Sequence, residues 1–308
     1  MYNTAHLMAL AAVCETGSFD AAARSLHVTP SAVSQRINAL EAAAGHALVQ
    51  RTRPVTPTAA GRVLFALARQ IGLLMDDADA QLRGRDSSGS GTTRFSLAIN
   101  VDSVSTWFRP AFAVIARERR ILLELFIEDQ DHTASLLREG LAMAAVTTFG
   151  DPVPGCSAEP LGHMRYLPVC APALLGGEAA TTADPSRLPM VRFGLKDDLH
   201  QNYLRQIGAV REPPTHYIPS NPEFLAAVKL GLGWGILPEA QVADDVAAGR
   251  LALLDRERTL SVPLYWQRWR LESATLDHVS DIVRAAARAG LPELDAGGSA
   301  SGVASGSA

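Results

Sequence analysis

The spacing of apolar residues divides the chain into three stretches with different periods. In the first, residues 19–41 read FDAAARSLHVTPSAVSQRINALE. Val33, Ile37 and Leu40 recur at i, i+4 and i+7, which places them on one face of a helix and directs them to a core. Ser31, Ser34, Gln35 and Asn38 recur at i, i+3, i+4 and i+7 on another face, with Arg36 at its border. Thr29 is placed to cap this helix. Pro30 takes its first position, where a missing N–H costs nothing. A shorter helix before it closes at Leu26, and His27-Val28 turn the chain. The second stretch, 58–83, carries Leu64, Leu67, Ile71, Leu74 and Ala78 in steps of three and four, a heptad seam. A helix of that length runs roughly 39 Å at ~1.5 Å per residue. It is too long for the small N-terminal core, so pairing with a second chain through Leu64, Leu67, Ile71 and Leu74 is expected, against the plainer alternative of packing on its own domain.

The third stretch alternates. Residues 94–101 read as a strand, 105–118 as a helix, 121–128 as a strand, 132–139 as a helix and 142–147 as a buried strand, which implies a parallel sheet. Strands at 165–171, 188–193, 215–219, 233–237 and 262–269 come next, with helices at 197–207, 222–230 and 273–290. Two α/β lobes fit this order. Between the helical and α/β parts, 84–93 (GRDSSGSGTT) has almost no apolar surface and reads as a flexible hinge, and 292–308 as a disordered tail. The expected organisation is 1–57, 58–83, 84–93, a first lobe of 94–164 with 270–291, a second lobe of 165–269, and the tail.

The polar face Ser31–Asn38 is short and rich in donors, which suits base edges and phosphates in a major groove. An alanine-rich helix pair with a polar outer face is also common in proteins that bind nothing. The residues after the helix pair favour DNA. Residues 46–61 begin with a strand-like piece and continue through Arg51, Arg53 and two prolines to Thr58, as a basic β-wing would. Net charge over 308 residues is −4, which does not advertise a nucleic-acid binder. Between residues 20 and 62, however, five arginines stand against Asp20 and Glu41, a local balance of +3. Two such patches in a dimer add. The candidate DNA contacts are therefore Thr29, Pro30, Ser31, Ser34, Gln35, Arg36, Asn38, Arg51 and Arg53.

The segment AAARSLHVTPSAVSQRINALE…G…LVQRT…TPTAAG resembles the N-terminal domain of LysR-type transcriptional regulators, including the Ser-Ala-Val-Ser of the recognition helix and the Thr-x-x-Gly that opens the next helix. NVDSVSTW at 100–107, IEDQDH at 127–132, DDLHQNYL at 197–204, GLGWGILPE at 231–239 and LYWQRW at 264–269 resemble the LysG/ArgP branch of that family. The resemblance implies an α/β fold with an N-terminal all-α winged helix-turn-helix, a linker helix that makes the dimer contact, and a two-lobed effector domain like a periplasmic binding protein. It implies a regulator of a lysine or arginine exporter gene that senses L-lysine or L-arginine. The implied partners are double-stranded promoter DNA, RNA polymerase and further copies of the chain, as a homodimer or a homotetramer.

The residue chemistry bears on the effector independently. A basic amino acid offers a carboxylate, an ammonium and a cationic tail. Asp102-Ser103-Val104-Ser105-Thr106 lies where a strand gives way to a helix, so its hydroxyls and N–H groups suit the carboxylate, unless they merely cap the helix. Acids at strand or loop edges suit the cationic ends: Asp102, Glu128, Asp129, Asp197, Asp198 and Glu223. Glu128 and Asp129 are favoured because they follow an apolar strand. Thr147 and His200 are further candidate contacts. Trp107 and Trp266 suit either the effector's aliphatic stem or the core, with the core the commoner fate. The effector-binding set is thus Asp102, Ser103, Thr106, Glu128, Asp129, Thr147, Asp198 and His200.

Other classes fit less well. Gly231-x-Gly233-x-Gly235 lacks the third glycine of a dinucleotide loop at the required spacing, and a strand follows it where a helix should, so it reads as a tight turn. No G-x-S-x-G or H-E-x-x-H occurs, so neither an enzyme nor a metal or cofactor site is expected. A module using its helices only for protein contacts would not need Arg51 and Arg53. A regulator of the same family with another effector remains the nearest alternative. Cys14, Cys156 and Cys170 form no CxxC pair and are odd in number, as in a reduced cytoplasmic protein, with a redox-sensing role the minor alternative. No signal peptide and no run of ~20 apolar residues is present, so no membrane contact is expected.

Overall fold

A computed structural model describes residues 1–83, 92–127, 130–180, 182–195, 198–255, 258 and 260–292. Three helices open the chain: α1 (Thr4–Thr16), α2 (Phe19–Ser25) and α3 (Pro30–Ala44). Helix α1 has no counterpart among the expected elements. Its apolar residues occupy nearly every side, so no amphipathic period marks it, and Leu7, Leu10 and Val13 enter the core along with intervening alanines. Helices α2 and α3 form as their caps dictate. Ser18 accepts from the Ala21 N–H and Thr29 from the Ala32 N–H. Val33, Ile37 and Leu40 are fully buried against Leu10, Ala22 and Leu48 in one core. The wing is a two-stranded antiparallel ribbon, β1 (Val49–Gln50) and β2 (Thr56–Pro57), with Val49 opposite Pro57.

Helix α4 (Ala59–Arg83) begins at the Thr-x-x-Gly motif, and the structure explains both residues. The Thr58 hydroxyl donates to the Ala47 carbonyl at 2.7 Å and accepts from the Gly61 N–H at 3.0 Å. The Thr58 N–H donates to the Leu48 carbonyl at 2.9 Å, which draws the helix start onto the wing. A Cβ at residue 61 would stand 1.8 Å from that same carbonyl oxygen, so only glycine fits. The heptad expectation for α4 needs correcting. Leu64 is buried with Phe65 and Ala68 in the chain's own N-terminal core, and Ile71 packs against it. Leu67 and Leu74 are exposed. The seam is divided because α1 covers one side of α4 and takes Leu64 and Ile71 with it.

Beyond α4 the structure forms two compact units. The first comprises Met1–Asn100, Ala111–Glu159 and Trp266–Val283, so the N-terminal helices and the first α/β segments belong together. Its strands are β3 (Thr93–Ile99), β4 (Ile121–Ile127) and β5 (Ala144–Thr147). β3 pairs in parallel with both, as the βαβαβ alternation requires. The connections use α5 (Val101–Ser105), α6 (Arg109–Glu118) and α7 (Gln130–Arg138). The expected hinge falls largely on residues 84–91, outside the described residues, and its last residue, Thr93, already belongs to β3.

The second unit comprises Val101–Pro110, Pro160–Tyr265 and the segment from Arg284. Strand β6 (Cys156–Cys170) is far longer than the expected 165–171, and the chain passes from the first unit to the second within it. Further along come β7 (Met190–Arg192), α8 (Asp198–Gln206), β8 (Thr215–Tyr217), α9 (Asn221–Lys229), β9 (Gly235–Pro238), α10 (Glu239–Ala247) and β10 (Ala252–Leu253). β7 and β8 are parallel, but β9 and β10 run antiparallel to β6, so this part of the sheet is mixed. Helix α10 is absent from the expected elements. Leu167, Val191, Phe224, Val228 and Leu237 form this unit's core. The chain returns through β11 (Leu260–Trp269) and ends in α11 (Ala274–Gly290). The expected tail starts at Pro292, whose carbonyl accepts from the His163 N–H at 3.0 Å; residues 293–308 lie outside those described.

Gly61→Ala should destabilise the chain by roughly 3 kcal/mol, at the upper end of overpacking costs, because its Cβ meets backbone. Denaturant unfolding checks this; a change below about 1 kcal/mol would mean the close approach to Leu48 is not required.

Candidate functional site

The exposed side of α3 presents Ser31, Gln35 and Asn38, with Ser34 and Arg36 partly covered at its edges. The residues that hold it are apolar and fully buried, so the face cannot rotate. Thr29 contributes by position rather than by reach. Its hydroxyl sits 3.0 Å from that of Ser31 and caps the Ala32 N–H at 3.2 Å. Pro30 is exposed at the first helical turn.

The wing is fixed to this helix from both ends. Glu41 accepts from the Leu48 N–H at 2.8 Å and the Val49 N–H at 3.4 Å, which anchors β1 to the C-terminal half of α3. Arg51 donates to the Asn38 Oδ1 at 3.1 Å while its guanidinium lies 5.7 Å from the Phe19 ring centroid. Helix and wing are thereby one surface. Arg51 stands exposed against the polar face of α3, and Arg53 is exposed in the loop between β1 and β2. Seven of the nine expected residues thus lie on α3 or at its start, Arg51 is bonded to that helix, and Arg53 lies in the adjoining wing loop.

The effector set is scattered by comparison. Glu128, Asp129 and Asp197 lie outside the described residues. Three others are taken into the interior, against expectation. His200 is 1 % exposed, and its Nε2 accepts from the Ile236 N–H at 3.1 Å between Phe224 and Trp234. Thr147 donates to the Phe149 carbonyl and accepts from Gln267, so its hydroxyl is consumed by the turn it supports. Ser103 is fully buried. The Thr106 hydroxyl donates to the Asp102 carbonyl at 2.6 Å, a helix back-bond that withdraws its proton from any ligand. Asp198 is exposed at the first turn of α8. Glu223 is exposed and accepts from the Ser220 hydroxyl, which holds its carboxyl below the usual range. Trp107 and Trp266 are core residues; Trp266 donates to Ser280 at 3.0 Å.

Gln267 accounts for part of the LYWQRW motif. Fully buried, it accepts from the Val153 N–H and donates to Thr147, Phe149 and Asp151, tying a whole loop to β11.

Of the expected acids among the described residues, Asp102 lies in a built cluster. Within the second unit it accepts from the Tyr166 hydroxyl at 2.9 Å and from Asn221 Nδ2 at 3.0 Å. Ser105 accepts from Gln241 Nε2 at 2.6 Å, and Gln241 also reaches Asn221 Oδ1 at 3.3 Å. Gln241 Oε1 is buried and has no hydrogen-bond partner among the described residues. The cluster therefore combines a carboxylate with an orphaned acceptor, Gln241 Oε1, and neutral groups, Tyr166, Asn221 and Ser105, link the two. Gln241 Oε1 can accept from a ligand N–H, and the nearby carboxylate favours a positively charged donor over an anion. Tyr166, Asn221 and Gln241 escaped sequence reasoning because each sits on a different element, and only the polar starts of α9 and α10 hinted at them.

No group of three or more His, Cys, Asp or Glu suited to a metal occurs among the described residues, nor does any helix long and apolar enough to cross a membrane. Burial, reinforced by neighbouring Glu15, pushes the Cys14 thiol up to about 12. Burial lifts Cys156 to about 11 despite an opposing effect of Arg270, and lifts Cys170 to about 11.

Comparison with known proteins places these features in context. Residues 4–62 match the bacterial regulatory helix-turn-helix protein model of the lysR family, and residues 88–288 match the LysR substrate binding domain. The lysine export transcriptional regulatory protein LysG of Corynebacterium efficiens is 46 % identical over 94 % of this chain and 99 % of its own length. The solved structure of full-length LysG from Corynebacterium glutamicum with bound effector Arg is 43 % identical, covers 94 % of this chain and 99 % of that one, and superposes with a TM-score of 0.77. The crystal structure of ArgP from Mycobacterium tuberculosis, also 43 % identical, covers 94 % and 98 % with a TM-score of 0.81.

Gln35→Ala should weaken specific DNA binding by about 1–3 kcal/mol and leave non-specific binding intact, whereas Arg53→Ala should lower affinity on every sequence and flatten the salt slope by about one. Binding titrations on matched and scrambled DNA at several salt concentrations separate the two. Equal loss on both DNAs for Gln35→Ala would assign that residue to phosphate. The thiols offer a second check. Thiolate appears only as pH climbs toward 11 to 12, so iodoacetamide at pH 8 should leave all three cysteines unmodified until the chain is unfolded. Rapid labelling of the native protein would contradict this.

Proposed function

The chain belongs to the LysR family of bacterial DNA-binding transcriptional regulators, and on that premise we propose that it senses a basic amino acid, L-arginine or L-lysine, and controls transcription of an amino-acid exporter gene. The observation that carries the effector class is the cluster around Asp102: a carboxylate and the orphaned Gln241 Oε1, set among neutral donors in Tyr166 and Asn221. The carboxylate suits an ammonium or guanidinium group, and such a group also brings an N–H donor for Gln241 Oε1. The relative crystallised with arginine and the relatives named for lysine export agree with that chemistry.

In this reading two copies pair through α4. Val63, Leu67 and Leu74 lie on one side of that helix at i, i+4 and i+11, and all three are exposed in the single chain, Val63 to 69 %. Pairing buries them and sets two recognition helices at a fixed separation, which the half-sites of a palindrome match. The resemblance to the family extends this to dimers of dimers that meet RNA polymerase at a promoter in the cytoplasm. Arg51 and Arg53 fix position on phosphates, and the face from Ser31 to Asn38 reads sequence. Effector then alters DNA binding by favouring one arrangement of the protein over another.

Calorimetry tests the effector. L-arginine or L-lysine should give saturable heats, and leucine and glutamate none. Asp102→Asn should weaken the binding by roughly 2 kcal/mol, about thirtyfold. Equal heats from all four amino acids would defeat the proposal.

A further inference from the structure

One side of α4 faces neither the N-terminal core nor the exposed stripe. It carries Ala66, Arg69, Leu73 and Asp77 at i, i+3, i+7 and i+11. This side is docked on the α/β part of the first unit, although the sequence joins the two through the stretch that reads as a hinge. A Cβ on Gly140 would lie 2.5 Å from the Ala66 Cα, so the turn after α7 touches the helix backbone. Three residues later Arg69, with its side chain 7 % exposed, donates to Glu15 of α1 at 3.0 Å and to Ser96 of β3 at 2.8 Å. Two turns further, Asp77 is 7 % exposed. It accepts from the Ser273 hydroxyl at 2.5 Å, the Thr275 hydroxyl at 2.5 Å and the Thr275 N–H at 3.5 Å. Ser273 in turn accepts from the Leu276 N–H at 3.2 Å. The first turn of α11 is thus capped by a carboxylate from the linker helix.

Two buried charges are an expensive way to glue a helix, since apolar residues of the same size hold as well. What charges add is register: their bonds are directional, and a slip of one turn leaves each buried and unsatisfied. The segments they grip matter too. β3 runs in sequence directly into Val101 and Asp102, and α11 continues from the first unit into the second between Val283 and Arg284. The unit that holds the Asp102 cluster is therefore tied covalently to both.

We propose that Arg69 and Asp77 are positioning residues for effector-controlled DNA binding. They form a joint that passes the state of the effector-binding half to α4, and through Glu15 to α1 beneath the recognition helix. This rests on the reading of the Asp102 cluster as the effector site. Effector acts on DNA affinity by shifting the balance between the joined arrangement and one in which the joint is broken or re-registered.

The test uses the full chain and a DNA fragment that the protein itself selects from a random pool. The readout is the ratio of DNA dissociation constants with and without saturating L-arginine, with calorimetry of L-arginine on each variant. Asp77→Asn and the pair Ser273→Ala with Thr275→Val should each shrink the ratio at least threefold while arginine still gives heat. All three changes together should shrink it no further, as expected for partners in one interaction. Asp79→Asn, the same loss of charge on an exposed position two residues on, should leave the ratio intact. Thr275→Val alone serves if the larger changes unfold the chain. A merely structural role would lower the melting temperature and leave the ratio at its wild-type value, and that result overturns the proposal. If arginine gives no heat with the wild-type protein, the effector reading fails and the joint is judged by hydrogen exchange. Faster exchange in both α4 and α11 of Asp77→Asn sustains the joint; faster exchange in α11 alone reduces Asp77 to a local cap and overturns it.

Discussion

A helix has a limited circumference, and in α4 three different demands share it. Leu64, Phe65 and Ala68 must complete the N-terminal core, because α1, α2 and α3 alone leave that core open on one side. Ala66, Arg69 and Asp77 meet the α/β part of the same unit. Val63, Leu67 and Leu74 are left outward. These assignments are set by the helical period of 3.6, so no side can be changed without turning the others. The start of the helix is equally constrained. Thr58 and Gly61 clamp it to the Leu48 carbonyl, which locks its rotation to the wing and hence to the surface that meets DNA.

The same constraint explains how the DNA-binding surface is made rigid with few residues. Its contacts are supplied by short polar side chains, but its geometry comes from buried neighbours and from backbone groups satisfied by side chains. Glu41 on the wing amides and Arg51 on Asn38 are examples. Such bonds are individually modest, worth about 1 kcal/mol net. Their value here is orientation: a recognition helix that could rock against its wing would lose discrimination faster than affinity.

The two candidate sites differed in how legible they were. The DNA face was readable because all its residues lie within one short span and its period separates buried from exposed positions without tertiary information. The effector site was not. Ser103, Thr147 and His200 carry the right chemistry at the ends of the right elements, yet all three are buried, and the fold spends the polar atoms of Thr147 and His200 on its own backbone and side chains. Buried polar groups need partners, and a partner from a distant element cannot be inferred from spacing. Tyr166, Asn221 and Gln241 illustrate the converse. Each is ordinary in sequence, and they become a cluster only because β6, α9 and α10 bring them to Asp102.

By itself the sequence determined the winged helix-turn-helix, the long helix after it, the α/β alternation and the family, because local period, capping residues and turn chemistry are properties of neighbouring residues. It missed α1, where apolar residues on every side erase the period, and α10. It also made one seam of what became separate faces of α4. Tertiary structure alone decided which side of α4 turns inward, that the stretch after it is not the only link to the α/β part, and which polar residues gather around Asp102. Those outcomes depend on which distant surface packs against each group, and a buried polar atom is satisfied by whatever lies within ~3 Å, however far away it is along the chain.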